Sequence, residues 1–233
     1  MTIRLRFVDD FISLFFPRLC LACGKNTPQK KELICISCQY HLPKTKFHLE
    51  KENKFTQRFL GRLELQSGAA LYYFTKGGRT QHLIHQLKYK GKREVGVMLG
   101  QHYGELLKDS PHFKDIDLIV PVPMHPKKEH MRGYNQSTQF AKGLSETMEK
   151  PYYKKALKKI THTISQTKKT RFERLQNVIN TFEVNQVNAL KRKHVLLVDD
   201  VLTTGATLEA CGLKILEVED TKLSMLTIAI ATH

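Results

Sequence analysis

Asp199 and Asp200 stand side by side after four apolar residues, Val195-Leu196-Leu197-Val198, and shortly before a hydroxyl-rich turn, Thr203-Thr204-Gly205-Ala206-Thr207. The apolar run reads as a strand buried on both faces, and the acidic pair falls where that strand is expected to end. Past the turn, Leu208, Leu213 and Leu216 recur at the spacing of one helix face. A helix N-terminus offers unpaired N–H groups and a partial positive charge, so a phosphate docks there without a lysine, and threonine hydroxyls add donors. Gly205 lets the backbone approach closely and take a positive φ. Two carboxylates beside a phosphate would repel it unless they had another task. Accepting hydrogen bonds from vicinal sugar hydroxyls, directly or through Mg²⁺, is such a task, so the ligand implied is a phosphorylated sugar with a free diol. A turn that only caps a helix would explain one Asp and one Thr, not the whole stretch. Neither a Walker A motif nor a G-x-G-x-x-G fingerprint occurs, which argues against an NTPase or a dinucleotide enzyme.

A second set of residues suits a metal. Cys20-Leu-Ala-Cys23 and Cys35-Ile-Ser-Cys38 form two C-x-x-C pairs separated by a lysine-rich stretch with Gly24 and Pro28 as turn makers. Two such knuckles can present four thiolates to one tetrahedral Zn²⁺, and so short a segment has little other means of building a core. With all four positions taken by protein, no water can be activated, and the expected Zn²⁺ is structural. A thioredoxin-like redox pair would need one C-x-x-C at the head of a helix, not two in tandem. His41 lies near enough in sequence to be weighed as a ligand, but four cysteines suffice.

The elements that must position these groups follow from pattern. Ala69–Phe74 reads as a strand with Gly77-Gly78 as its turn, and Leu83, Ile84 and Leu87 as a helix face ahead of the basic cluster Lys88-Tyr89-Lys90-Gly91-Lys92-Arg93. A helix over Glu94–Lys108 follows, with Val95, Met98, Leu99 and Leu106 as its expected buried stripe. Ile116 to Val120 reads as a strand running into Pro121-Val122-Pro123; then comes a cationic loop, His125 to Gln136, and a helix with Phe140, Ala141, Leu144 and Met148 inward. Thr181–Val184 and Lys222–Ile230 read as further strands, and Cys211 as a small core residue. Strands alternating with helices imply an α/β fold with a mostly parallel sheet flanked by helices. Ligands of such sheets bind beyond the strand carboxyl ends, which puts the loop after Val120 beside the Asp199–Thr207 turn.

Composition sets the remaining bounds. The 233 residues carry 38 Lys and Arg against 22 Asp and Glu, a formal net charge of +16, with 41% hydrophobic and 26% charged residues. That is a globular balance, and its basic field suits polyanions, either nucleic acid or a pyrophosphate ligand. No tryptophan is available for base stacking, but 8 Tyr and 12 Phe are. The N-terminal run Phe11–Phe16 is preceded by Asp9-Asp10 and stopped by Pro17-Arg18, so it reads as an amphipathic lead-in helix rather than an export signal. No membrane span is expected, and paired C-x-x-C motifs without an export signal point to a reducing, cytoplasmic setting. The expected organisation is a lead-in helix with a small four-cysteine zinc-binding module over 1–45, a basic connector over 46–68 with few apolar anchors, and the α/β domain over 69–233.

The Asp199–Thr207 stretch resembles the phosphoribosyl pyrophosphate (PRPP) motif of type I phosphoribosyltransferases. With the tandem C-x-x-C pairs, Pro121-Val122-Pro123 with Arg132-Gly133-Tyr134-Asn135-Gln136, and the segment from Thr163-Ile164-Ser165-Gln166 to Arg174-Leu175-Gln176-Asn177 with Phe182, it occurs in the order seen in the ComF family of competence-associated proteins. The resemblance covers nearly the whole chain and implies a type I phosphoribosyltransferase fold binding PRPP with Mg²⁺. It places Asp199 and Asp200 on the ribose and Thr203, Thr204, Gly205, Ala206 and Thr207 on the 5′-phosphate. Val122, Pro123 and Arg132 become pyrophosphate candidates, and Gln166, Arg171 and Arg174 belong to a mobile loop folding over PRPP. It further implies a role in DNA uptake, with single-stranded DNA and competence-machinery proteins as partners. Two other functions stay open: an active phosphoribosyltransferase with an unidentified acceptor, and a PRPP-sensing regulator without catalysis.

Overall fold

The computed structural model describes residues 18–25, 28, 32–160 and 181–231. The expected lead-in helix, and the segment holding Gln166, Arg171, Arg174 and Asn177, lie outside the described residues.

Four parallel strands form the main sheet: β1 (Ser67–Phe74), β2 (Leu118–Pro121), β5 (His194–Leu202) and β6 (Lys222–Ala231), in the order β1-β6-β5-β2. The two inner strands carry the long buried runs, Val195–Val198 in β5 and Leu223–Ile230 in β6, because both their faces are covered. The short edge strand β2 ends at Pro121, where a missing N–H is tolerated. Its outer edge is covered by the chain at 151–153: Ile119 N–H donates to Pro151 O and Tyr153 N–H to Ile119 O, both at 2.9 Å.

The strand holding the acidic pair departs from expectation. It runs on to Leu202 instead of ending at Asp199, because β6 keeps pairing with it as far as Leu202 while its pairing with β2 stops at Val198. Asp199 and Asp200 therefore stand on a rigid strand with one flank opened by the end of β2. A second, antiparallel pair joins β3 (Leu157–Lys159) to β4 (Phe182–Val184). The pattern exposed β4 but not β3, whose two lysines hide its one buried residue, Leu157.

Helices α2 (Arg79–Tyr89), α3 (Glu94–Leu107), α5 (Gln136–Met148) and α7 (Ala206–Leu216) supply the flanking layers, while the short α1 (Ile36–His41) starts within the second C-x-x-C pair and α6 (Val187–Leu190) leads into β5. On α3 the buried stripe is Val95, Leu99, Tyr103 and Leu107; Leu106 is 38% exposed, since a step of four keeps residues on one face and Leu106 falls beside it. Gly96, Gly100 and Gly104 repeat at the same step and let α3 close on α5. A Cβ on Gly100 would stand 2.3 Å from Phe140 O, and one on Gly143 would stand 2.0 Å from Val97 O.

The segment over 46–68 is anchored more firmly than its composition suggests. It forms two 3-10 turns, Phe47–Leu49 and Thr56–Phe59, and buries Phe47, Phe55 and Phe59. Buried Asn53 replaces a regular ladder: its Nδ2 donates to Glu50 O and Gly68 O, both at 2.9 Å, and its Oδ1 accepts Phe55 N–H at 2.8 Å. Among the described residues no helix is long and apolar enough to cross a membrane.

Candidate phosphosugar cleft and cysteine centre

The cleft is built where the strand ends demand it. After β2, His125 caps the short helix α4 (Pro126–Arg132), accepting Lys127 N–H on Nδ1 at 3.2 Å, so part of the expected loop is helical. Gly133 closes that helix with φ +80°, and Asn135 opens α5 by accepting Ser137 N–H at 3.0 Å. The Asn135 amide also donates to Val122 O at 2.9 Å, fixing the start of α5 to the loop after β2. Tyr134 donates its hydroxyl to Leu87 O, which ties the same turn to the end of α2.

These ties bring several groups to the acidic pair. Ser137 Oγ donates to Asp199 Oδ1 at 2.8 Å, and the Asp200 N–H donates to the same oxygen at 2.8 Å. Gln136 Nε2 donates to Asp200 Oδ2 at 3.0 Å, while Lys88 Nζ pairs with Asp200 Oδ1 at 3.0 Å. Burial, and next the charge of Asp200, push the Asp199 carboxyl up to about 7. At the other side of the pair, Gly205 has φ +84° and is the N-cap of α7. A Cβ there would meet the Phe59 ring at 3.1 Å, so the connector's aromatic seats the turn. The N–H groups of Thr207 and Leu208 find no backbone acceptor among the described residues, as expected of a helix start open to an anion.

One cavity of about 290 Å³ joins these parts. Thr207, Asp199 and Asp200 line it together with Val122, Pro123, His125, Lys128, Arg132, Lys88 and Tyr89. The Arg132 guanidinium lies 5.4 Å from the Tyr89 ring centroid. Of the residues singled out from sequence, Asp199, Asp200, Thr207, Val122, Pro123 and Arg132 thus meet in one place. Thr203 and Thr204 are exposed on the turn outside its lining, and Gly205 and Ala206 shape the turn. Sequence reasoning missed Ser137 and Lys159 in this lining, and saw Lys88 only as part of the basic cluster Lys88–Arg93; Gln136 was visible only as the end of the Arg132–Gln136 motif.

The four cysteines also converge. The Sγ atoms of Cys20, Cys23, Cys35 and Cys38 all lie within 4.8 Å of one another, and none is in a disulfide. Cys20 Sγ accepts the N–H groups of Ala22 at 3.4 Å and Cys35 at 3.3 Å, the backbone support that a ligating thiolate requires. Such a set could bind a metal ion such as zinc. Burial first, and then hydrogen bonds among the neighbouring thiols, raise the pKa of Cys38, a cost that a divalent cation would remove. His41 stands apart, its Nδ1 bonded to Ser37 O at 2.7 Å.

No family model matches the chain. It is similar to Competence protein F of Haemophilus influenzae, with 26% identity over 203 residues, 83% of this chain and 89% of that protein. It is also similar to Competence protein ComFC of Bacillus subtilis, with 24% identity over 85% of this chain and 72% of that one. DNA utilization protein YhgH of Escherichia coli K12 is 30% identical over 131 residues, 54% of this chain and 56% of that protein. Among solved structures, an adenine phosphoribosyltransferase aligns with a TM-score of 0.39 and 16% identity, covering 63% of this chain and 74% of that one. The resemblance to the ComF family carried by the motifs is therefore matched by relatives that bear its name.

Proposed function

From that kinship and the layout of the cleft, we propose that the chain binds PRPP with Mg²⁺ and serves DNA uptake and the handling of single-stranded DNA. The observation that supports the ligand is the set of groups gathered in one cavity. Thr207 at a helix start, the acidic pair Asp199 and Asp200, and the cations Lys128 and Arg132 all line it. PRPP carries a phosphate, a diol and a pyrophosphate, one for each of these.

In this reading the Thr203–Thr207 turn and the start of α7 hold the 5′-phosphate. Asp199 and Asp200 accept the ribose hydroxyls, and Ser137 and Gln136 keep both carboxylates in place. The pyrophosphate lies against Val122, Pro123 and Arg132, whose guanidinium suits a dense anion. Gln166, Arg171 and Arg174 fold over it from the loop named by resemblance. Mg²⁺, which Asp199 and Asp200 would help to hold, would neutralise part of the ligand's charge. The cysteine centre holds a structural Zn²⁺ with four protein ligands.

The DNA role takes its support from the relatives' names and from the net charge of +16. Competence-machinery proteins are the further partners of this reading, and the cytoplasm is its setting. Calorimetry with PRPP and Mg²⁺, followed by an assay of pyrophosphate release with and without single-stranded DNA, tests it. Binding without release supports a PRPP-binding protein, release identifies an enzyme, and no binding defeats the assignment of the cleft.

A further inference from the structure

The two neighbouring carboxylates are not equivalent. Asp199 spends one oxygen on Ser137 and the Asp200 N–H, and its second oxygen has no hydrogen-bond partner among the described residues. Asp200 has a partner on each oxygen, Gln136 on Oδ2 and Lys88 on Oδ1, each at 3.0 Å. Because Lys88 lines the cleft, a sugar hydroxyl that approaches Asp200 Oδ1 from there competes with its ammonium for that oxygen.

Gln136 is poorly suited to leave. It is 4% exposed, in the first turn of α5 beside the Asn135 cap that is bonded to Val122. Lys88 is different: it stands in the last turn of α2 on a flexible four-carbon stem, with 23% of its side chain exposed. It lines both the cleft and a second cavity of about 520 Å³ shared with Tyr89, Lys128 and Arg132. Turning away from Asp200 therefore carries its ammonium toward the cationic end of the groove, where an anion must be bound if the ligand reading holds.

The geometry points to Lys88 as an exchangeable counter-ion, and this inference rests on the PRPP reading of the same cleft. Lys88 neutralises Asp200 while no ligand is bound; when a ribose hydroxyl takes Asp200 Oδ1, the ammonium moves to the pyrophosphate. With PRPP the ammonium finds an anionic partner in both positions, and Asp200 keeps its Gln136 bond and gains a hydroxyl donor. Ribose 5-phosphate has the same phosphate but no pyrophosphate, so it gives a displaced Lys88 ammonium no replacement partner. Lys88 is thus a positioning residue that makes the cleft prefer the pyrophosphorylated sugar.

The test compares PRPP with ribose 5-phosphate, each with Mg²⁺, on the full chain and on Lys88→Met. PRPP affinity should fall about 10- to 100-fold, the range of one charge-assisted contact, while ribose 5-phosphate affinity holds or rises. A merely structural role would weaken both ligands together and lower the melting temperature. Equal losses for the two ligands, or no change for either, would overturn the inference. Lys88→Gln, which can still donate to Asp200, keeps the comparison decisive should Lys88→Met unfold. A wild-type chain that fails to bind PRPP would instead defeat the reading of the cleft itself.

Discussion

Arg62 grips Glu209 with both arms of its guanidinium across 147 positions of chain, Nε meeting Oε1 at 3.0 Å and the second nitrogen meeting Oε2. Glu209 is 3% exposed in the first turn of α7, so this pair fastens the segment before β1 to the helix that follows the hydroxyl-rich turn. Arg62→Ala leaves a buried carboxylate without its partner. Because the Arg62 side chain is 38% exposed, water offsets part of the loss, and a destabilisation of about 2 kcal/mol is expected. Urea unfolding measures it. Adding Glu209→Gln should recover roughly half, whereas a loss as small as that of a surface ion pair would show that the grip is idle.

Asp199 makes the stability of the cleft depend on pH. Its carboxyl titrates at about 7 rather than 3.8, first because it is buried and then because Asp200 is charged. The folded state thus holds this proton more tightly than the unfolded chain. The stability linked to it is full below about 4 and is lost as pH rises through about 7. Asp199→Asn keeps an oxygen for Ser137 and for the Asp200 N–H but removes the ionisation. It should be more stable than the wild type at pH 8, on the order of 2 kcal/mol, with the gap closing by pH 4. Thermal melts across that range check it; a gap independent of pH would mean that the carboxylate carries no such penalty.

What could be read from sequence was local. The strand, acidic pair, turn and helix follow one another in the chain, so residue types alone imply a phosphosugar site. Lys88 could not be separated from Lys90, Lys92 and Arg93, because the direction a last-turn side chain takes depends on what α2 packs against. Only Lys88 of these four enters the cleft lining, while the other three are exposed. The course of β5 past Asp199 depends on where β2 and β6 stop, which is a property of neighbouring strands. Phe47, Phe55 and Phe59 were too widely spaced to show a period, yet all three are buried.

The approach of α3 to α5 was equally silent, since a glycine leaves no pattern on its own helix. Gly143 has Val97 O where its Cβ would be, 2.0 Å away, and that atom is backbone. Gly143→Val must push the helices apart, so a loss of more than about 3 kcal/mol is expected. Gly77→Ala, whose Cβ would meet nothing within 4 Å but whose φ is +75°, should cost only about 1 kcal/mol. Chemical denaturation of both variants compares a packing loss with a backbone loss, and equal effects would contradict the close contact.

Removal of metal gives a separate readout for the cysteine centre. Elemental analysis should find about one Zn²⁺ per chain, and Cys20→Ser with Cys38→Ser should lose it. Far-ultraviolet dichroism should change little, because the sheet and the long helices are built elsewhere. Protease cleavage in the cysteine segment should become much faster. Wild-type resistance in the metal-free protein would mean that packing of Ile34 and Leu42, both buried, holds the segment without an ion.

Single-stranded DNA should bind with strongly salt-dependent affinity, and the structure narrows which residues to test. Reversing Lys88 would disturb Asp200 as well as any nucleic-acid contact, so it belongs outside the test set. Lys90, Lys92 and Arg93 are exposed at the turn between α2 and α3, next to Tyr89, which is 67% exposed and offers a face for a base. Their joint change to glutamate should weaken binding and flatten the plot of log affinity against log salt by about 2, since each phosphate contact in a single strand contributes roughly 0.7 to the slope. PRPP binding by the same variant should stay at the wild-type level, which separates the two surfaces. An unchanged slope would move the strand to another basic face, and absence of binding at low salt would remove DNA as a direct ligand.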